Sequence, residues 1–252
     1  MAVDKLVDST QLDTDLTSIA NAIRTKGGTS ASLAFPADFV SAIEAISGGG
    51  DITIDGLAAG TEPSGEIEIT RSSIVGHAFR GKTEITRVEI PNTCSIANAA
   101  FSGCTGLTSV FAPLASSSSS DVFNGCTNLK HLVYGTVNNK TNTALGCTKL
   151  EKAEFNRTGN LAATTFSGCT AMNVLVIRTS TLVALSAISA FNNSPFASGK
   201  AGGTLYVPSA LISSYQAATN WSTILGYANN SIEAIEGSIY ETQYVDGTPI
   251  PT

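Results

Sequence analysis

The spacing of apolar residues predicts two short helices at the start of the chain. The apolar residues of the first helix share one face and are Leu12, Leu16, Ile19, Ala20 and Ile23. Those of the second helix, which begins at Pro36, are Phe39, Val40, Ile43 and Ile46. Two short helices cannot bury both faces alone, so residues 1–47 are expected to form a hairpin that docks on a partner or on another copy of the chain. Packing against the rest of the chain is the alternative.

After these helices the apolar spacing changes from helical to strand-like. Gly48-Gly49-Gly50 predicts a flexible joint. The segments 52–54 and 66–69 alternate apolar and polar residues, as strands do. We therefore expect residues 48–71 to form a glycine linker followed by a small hairpin or cap.

A repeat of about 22 residues occupies the middle of the chain, from 72 to 208. Its marker is a Gly-Cys pair, and the cysteines of these pairs are Cys104, Cys126, Cys147 and Cys169. Two residues before each glycine there is a phenylalanine, or Ala144 in one copy. Three residues after each cysteine there is a leucine or Met172. Each copy then enters a short apolar strand. A degenerate first copy has Lys82 in the cysteine position.

This period predicts a solenoid, because one short coil cannot enclose its own apolar side chains, whereas stacked coils place like residues in shared columns. The expected fold class is a mainly β solenoid with a small N-terminal α-helical hairpin and a C-terminal helical cap. Residues 209–252 supply that cap and an extended tail that a partner would bind. Within the cap, Trp221, Ile224 and Leu225 are expected to cover the open end of the stack.

The repeat also explains the cysteines as reduced thiols packed in one column of the core. Zinc ligation and disulfides are the alternatives, but no pair has the short spacing of a zinc site, and five cysteines cannot all pair. Cys94 lies off the column and is interpreted as a loop thiol. We expect no metal and no cofactor.

Charge and composition exclude several classes of partner. Only 13% of the residues are charged, the net charge is −6, and Lys and Arg do not cluster. A nucleic-acid binder needs a basic stripe, so no nucleic-acid partner is expected. The sequence shows no secretory signal and no apolar stretch of about 20 residues, so neither export nor membrane insertion is expected.

No residue pattern indicates catalysis. The two histidines, His77 and His131, occupy positions that recur in other coils, which favours surface repeat residues over a catalytic base. The chain lacks a nucleophile elbow, a phosphate loop and a dinucleotide motif. We therefore expect no enzymatic activity.

Strand alternation instead predicts a binding surface on the outward side of the repeats. The candidate residues share this side and are Arg87, Glu89, Phe111, His131, Val133, Lys152 and Glu154. Among them, Phe111, His131 and Val133 are expected to form an exposed patch that a ligand or a neighbouring subunit would contact.

The repeats resemble the BspA-type leucine-rich repeat. The matching segments are AFSGCTGLTSV at 100–110, VFNGCTNLKHLVY at 122–134, TFSGCTAMNVLVI at 165–177 and TLYVPSALISSYQAATNW at 204–221. The resemblance implies a binding or adhesion scaffold without catalytic residues. The departures are Lys82 in the first coil and Ala144-Leu145 in the fourth, and the second departure puts the regularity of that coil in question.

Residues 16–46 are similar to a segment at the start of many phage tail and other virion proteins. This resemblance implies a phage virion structural protein, such as a tail fibre, a baseplate protein or another surface appendage, made in the host bacterial cytoplasm. Its N-terminal module would bind other virion proteins, and its solenoid would bind a host-surface protein or glycan. A homo-oligomer is expected. A trimer is the first candidate, although the sequence contains no heptad or other trimer signature. A bacterial cell-surface adhesin of the same repeat family is the alternative.

Overall fold

The computed structural model describes residues 65–117, 119–137, 141–157 and 159–251, and these form a parallel β solenoid. The predicted helical hairpin of residues 1–47 and its docking face lie outside the described residues. Ten strands of the described part join one sheet. They are β1 (Gly65–Glu68), β2 (Ser73–Ile74), β3 (Ile85–Glu89), β4 (Ser95–Ile96), β5 (Ser109–Ser117), β6 (His131–Val137), β7 (Lys152–Phe155), β8 (Val174–Ile177), β9 (Thr204–Val207) and β10 (Ser231–Ala234).

Parallel pairing holds the strands of successive coils in one register, as the repeat predicted. The paired positions of β3, β5, β6, β7 and β8 are Arg87, Ser109, His131, Lys152 and Val174. The inward residue next to each of these is fully buried, in the order Val88, Val110, Leu132, Ala153 and Leu175. The repeat of about 22 residues therefore corresponds to one coil of a mainly β solenoid, and this part of the prediction is confirmed.

In five successive coils, the turn has one left-handed residue on each side of the aromatic position. In one coil these are Asp121 and Gly125, with φ of 63° and 73°, and they enclose the buried Phe123. Glycine adopts this conformation without steric cost because it has no Cβ, which explains the glycine of the Gly-Cys pair. His77 fills the position equivalent to Asp121, has a φ of 63° and is exposed.

The aromatic column is the centre of the core, and it continues past the coil that lacks an aromatic residue. Phe101 stacks on Phe123, with 5.6 Å between ring centroids. Above Phe123 the next coil offers only Ala144, and the strand residue Tyr134 meets Phe123 edge-on at 5.6 Å. Phe155, the register partner of Tyr134, contacts Phe166 at 5.8 Å. Two strand aromatics thus replace the missing ring, so the fourth coil stays regular.

The cysteines form a second column beside the rings, and all five are free thiols. Each column thiol donates a hydrogen bond to a backbone carbonyl of the preceding coil. These bonds run from Cys104 to Phe79 (2.9 Å), from Cys126 to Phe101 (3.1 Å), from Cys147 to Phe123 (3.1 Å) and from Cys169 to Ala144 (3.1 Å). Burial raises the pKa of the Cys169 thiol to about 12, so it stays protonated and able to donate. Cys94, interpreted as a loop thiol, lies outside any strand just before β4, and its side chain is buried.

The sheet extends beyond both predicted limits of the solenoid. Strand β1 pairs in parallel with β3. The segment 66–69, expected as a hairpin or cap, is therefore the first rung of the same sheet, with Ile67 and Ile69 buried. At the other end β10 pairs with β9, past residue 208. The apolar columns continue through both segments, and this continuity recruits the extra strands.

Two short helices, α1 (Ile212–Ala217) and α2 (Trp221–Leu225), lie between β9 and β10. The indole of Trp221 donates a hydrogen bond to the carbonyl of Val183 at 2.7 Å and packs on Phe191 at 5.9 Å. The helices therefore pack against the residues that follow β8. The sheet continues past them to β10, so the expected covering of the open end of the stack by Trp221, Ile224 and Leu225 is not confirmed. None of the helices in the described ranges is long and apolar enough to cross a bilayer.

We expect Ala144→Phe to destabilise the protein, although it restores the aromatic residue of the repeat. Tyr134 and Phe155 already fill that space, and overpacking a core costs about 1–3 kcal/mol. Urea unfolding followed by the fluorescence of Trp221 measures the change in the free energy of unfolding. In a Tyr134→Ala background the same substitution should recover part of the lost stability, since the ring then has room. A stabilising effect of Ala144→Phe alone would contradict this account of the column.

Candidate functional site

The outward side of the sheet, here called the outer face, presents two parallel columns of side chains. The first column is Glu66, Arg87, Ser109, His131, Lys152, Val174 and Thr204. The second is Glu68, Glu89, Phe111, Val133, Glu154, Val176 and Tyr206. The seven candidate binding residues predicted from the sequence all lie in these columns, because the pairing register is the one that the repeat implies.

The first column and the start of the second remain partly accessible. Arg87 and Glu89 are partly exposed and form a surface ion pair at 3.6 Å. His131 and Lys152 lie on neighbouring strands and are also partly exposed. An exposed pair of this kind contributes little to stability, so these side chains can exchange their contacts for those of a partner.

The C-terminal segment 235–250, here called the strap, covers most of the second column. Its Ile235, Tyr240 and Val245 are buried against Val133 and Val176. Two further aromatic pairs complete the contact: Tyr244 meets Phe111 edge-on at 5.2 Å, and Tyr240 meets Tyr206 at 4.8 Å. The strap thus packs a second apolar core on the outer face.

A buried ion pair anchors the strap to the sheet. Glu154 is 0% exposed; one carboxylate oxygen pairs with Arg178, and the other accepts the backbone N–H of Val245 at 2.9 Å. The guanidinium of Arg178 also donates to the carbonyls of Tyr240 and Gln243 and lies over the ring of Tyr244. Each of its three nitrogens therefore donates to Glu154 or to the strap.

The expectation that Phe111, His131 and Val133 form an exposed patch is wrong. Val133 and Glu154 are buried and Phe111 is partly buried beneath the strap. The chain's own C-terminal segment covers them. This segment is the tail that was expected to be extended and bound by a partner, and it packs on the solenoid instead. The cause is the apolar character of the second column in the later coils, which favours burial once a segment with matching side chains can reach it.

The sequence reasoning missed Arg178 and the strap residues that it contacts. Arg178 directly follows the apolar strand β8, and its position resembled that of a surface charge. A signal was present in the tail, where large apolar or aromatic residues, among them Tyr240, Tyr244 and Val245, recur between polar ones. That signal identifies a buried segment but not the surface that buries it.

The titratable groups beside the strap are shifted by their surroundings. Burial lowers the pKa of His131; Lys152 lowers it further, and Glu151 and Asp246 oppose the shift. Burial also raises the pKa of Glu154, against the opposing effect of Arg178. No group of three or more His, Cys, Asp or Glu side chains in the described part of the chain is placed to hold a metal ion.

Comparison with known proteins gives one match. The family model for the BspA type Leucine rich repeat region matches residues 66–197 in six copies. Searches of curated proteins and of solved structures found no significant match. The matched residues run from β1 to beyond β8, so the family match and the stacked coils describe the same part of the chain.

We expect Glu154→Ala to release the strap. The substitution leaves the largely buried Arg178 without its counter-ion, which costs about 3 kcal/mol or more, and removes the acceptor of the Val245 N–H. Hydrogen exchange at Val245 and limited proteolysis within residues 241–247 measure the release. Glu68→Ala, in the same column but exposed, is the matched control and should change neither readout. Unchanged protection at Val245 would show that the ion pair does not anchor the strap.

We also expect acid to weaken the protein through His131. A histidine with a lowered pKa stabilises the folded state when neutral, and this contribution is lost as the pH falls through the ordinary value of about 6.5 towards the lowered one. The free energy of unfolding of the wild type should therefore fall more than that of His131→Asn between about pH 7.5 and pH 5. Glu154, which shifts in the opposite direction, is present in both proteins. Equal losses would rule out the contribution of His131.

Proposed function

We propose that this chain, which belongs to the BspA-type leucine-rich repeat family, is a non-enzymatic binding protein that displays its solenoid to another molecule. The observation that supports this most directly is the accessible column of the outer face, where Arg87, His131 and Lys152 lie on three of four successive coils at a fixed register. Stacked coils hold such side chains at constant spacing, which suits recognition of an extended surface.

The strap narrows the part of the outer face that a partner can contact. Its contacts bury the apolar part of the second column and also include Val174 of the first. The polar residues of the first column from Glu66 to Lys152 remain for a partner, with Glu89 beside Arg87. A partner would therefore meet mixed charges and hydroxyl groups rather than an apolar patch. Contacts of this type fix orientation and specificity more than they add affinity.

The place of display that we propose is a phage particle, as part of a tail fibre, a baseplate or another surface appendage. The support is the similarity of residues 16–46 to the start of phage virion proteins. In this proposal the N-terminal module binds other virion proteins and assembles a homo-oligomer, and the solenoid faces the host surface. The second candidate is a bacterial cell-surface adhesin, which the repeat family favours equally.

Immunogold electron microscopy separates these two locations. An antibody raised against the full chain should label the tails of particles released from cells that carry the gene. Pre-absorption of the antibody with the purified chain is the control and should remove the label. Label confined to the envelope of intact cells would support the adhesin and contradict the virion role. Light scattering of the purified full chain then tests the homo-oligomer, since a monomer mass would exclude self-assembly of this chain alone.

A further inference from the structure

A groove away from the outer face has the chemistry of a carbohydrate site. Two walls enclose a volume of about 380 Å³, within the range of small-molecule pockets. One wall follows the 3-10 turn Ile188–Phe191, and the other is the end of α2 with Tyr227. The lining residues are Ile188, Asn192, Asn193, Ala197, Ser198, Lys200, Ile224 and Tyr227.

Side-chain hydrogen bonds of other asparagines hold the two walls together. The amide of Asn230 donates to the carbonyl of Phe196 on one side (2.9 Å) and to that of Ile224 on the other (2.8 Å). Asn229 donates to the carbonyl of Lys200 at 2.8 Å. Beneath the groove, Trp221 packs on Phe191. The walls are therefore fixed before any ligand arrives, which reduces the entropy cost of binding.

The polar side chains that line the groove are unused within the part of the chain that the structure describes. Asn192, Asn193, Ser198 and Lys200 are exposed and their side chains make no hydrogen bond there. Asn229 and Asn230 differ from them, because their side-chain amides donate to backbone carbonyls and so hold the walls of the groove. Two adjacent asparagines offer four N–H donors and two carbonyl acceptors, a set that complements hydroxyl groups, which both donate and accept.

The apolar part of the lining agrees with the same ligand class. Ile188 is 41% exposed, and Tyr227 is partly exposed on the opposite wall. A sugar ring has an apolar face of C–H groups as well as a hydroxyl rim, so it can use both kinds of surface. An anion would need more than the single cation Lys200, and a metal ion would need carboxylate, histidine or cysteine ligands, which this lining does not contain.

We propose that this groove binds a saccharide, with Asn192 and Asn193 recognising its hydroxyl groups and Tyr227 packing on its ring. Lys200 would add a donor at the rim and would favour a sugar that bears a carboxylate. This site is separate from the outer face, and it does not depend on whether the chain is displayed on a phage particle or on a cell.

The test begins with the full chain, fluorescently labelled and applied to an array of bacterial and mucosal glycans. We then expect titration of the strongest glycan to show roughly tenfold weaker binding by Asn192→Ala/Asn193→Gly, because two hydrogen bonds are lost. Glycine at 193 tolerates the left-handed φ of 59°, so the variant removes the amide without straining the turn. Asn92→Ala, an exposed asparagine outside the groove, is the matched control.

Two further variants make the outcome decisive. Tyr227→Ala should also weaken binding, while Arg87→Glu/Lys152→Glu on the outer face should not. Thermal unfolding of each variant identifies any loss that comes from misfolding. The proposal fails if no glycan binds, if the groove variants bind like the wild type, or if only the outer-face variant loses binding. Displacement of the glycan by an unrelated peptide with equal affinity would also reject a saccharide site.

Discussion

Alignment between successive coils is the constraint on which the whole described structure depends. Parallel backbone hydrogen bonds fix each coil on its neighbour, so a side chain at one repeat position must share a column with its equivalents. The aromatic column, the thiols that donate to the preceding coil and the left-handed glycines all follow from that single register. When one coil has a smaller side chain in a column, side chains of neighbouring coils therefore fill the space.

The fourth coil illustrates how the columns tolerate a defect. Ala144 removes a ring from the aromatic column, yet the strand residues Tyr134 and Phe155 close the gap from the side. Dense packing explains this result, because a void of that size would cost several kcal/mol and neighbouring side chains gain by filling it. Regularity in such a solenoid therefore belongs to the backbone register, while the identity of the ring that fills each level can change.

The two sides of the solenoid differ in what they leave for binding. On the outer face, the strap and the Glu154–Arg178 pair close the apolar column, and the polar column beside it stays accessible. The last coil, between β9 and β10, contains α1 and α2. The groove lies where α2 meets the 3-10 turn Ile188–Phe191 of the preceding coil. One chain thus offers a polar strip and a hydroxyl-complementary groove, both on rigid supports.

The sequence alone determined the coils, because their contacts join equivalent positions of a repeat. It fixed the burial of Phe101, Phe123 and Phe166, the thiol column, and the outward direction of Arg87, His131 and Lys152. It did not determine the strap, the burial of Val133 and Glu154, or the partnership of Glu154 with Arg178. The strap's contacts join a non-repetitive tail to coils about 60 to 110 residues away, and no periodicity relates the two. Only the tertiary structure could decide them, since burial depends on which surface a segment reaches.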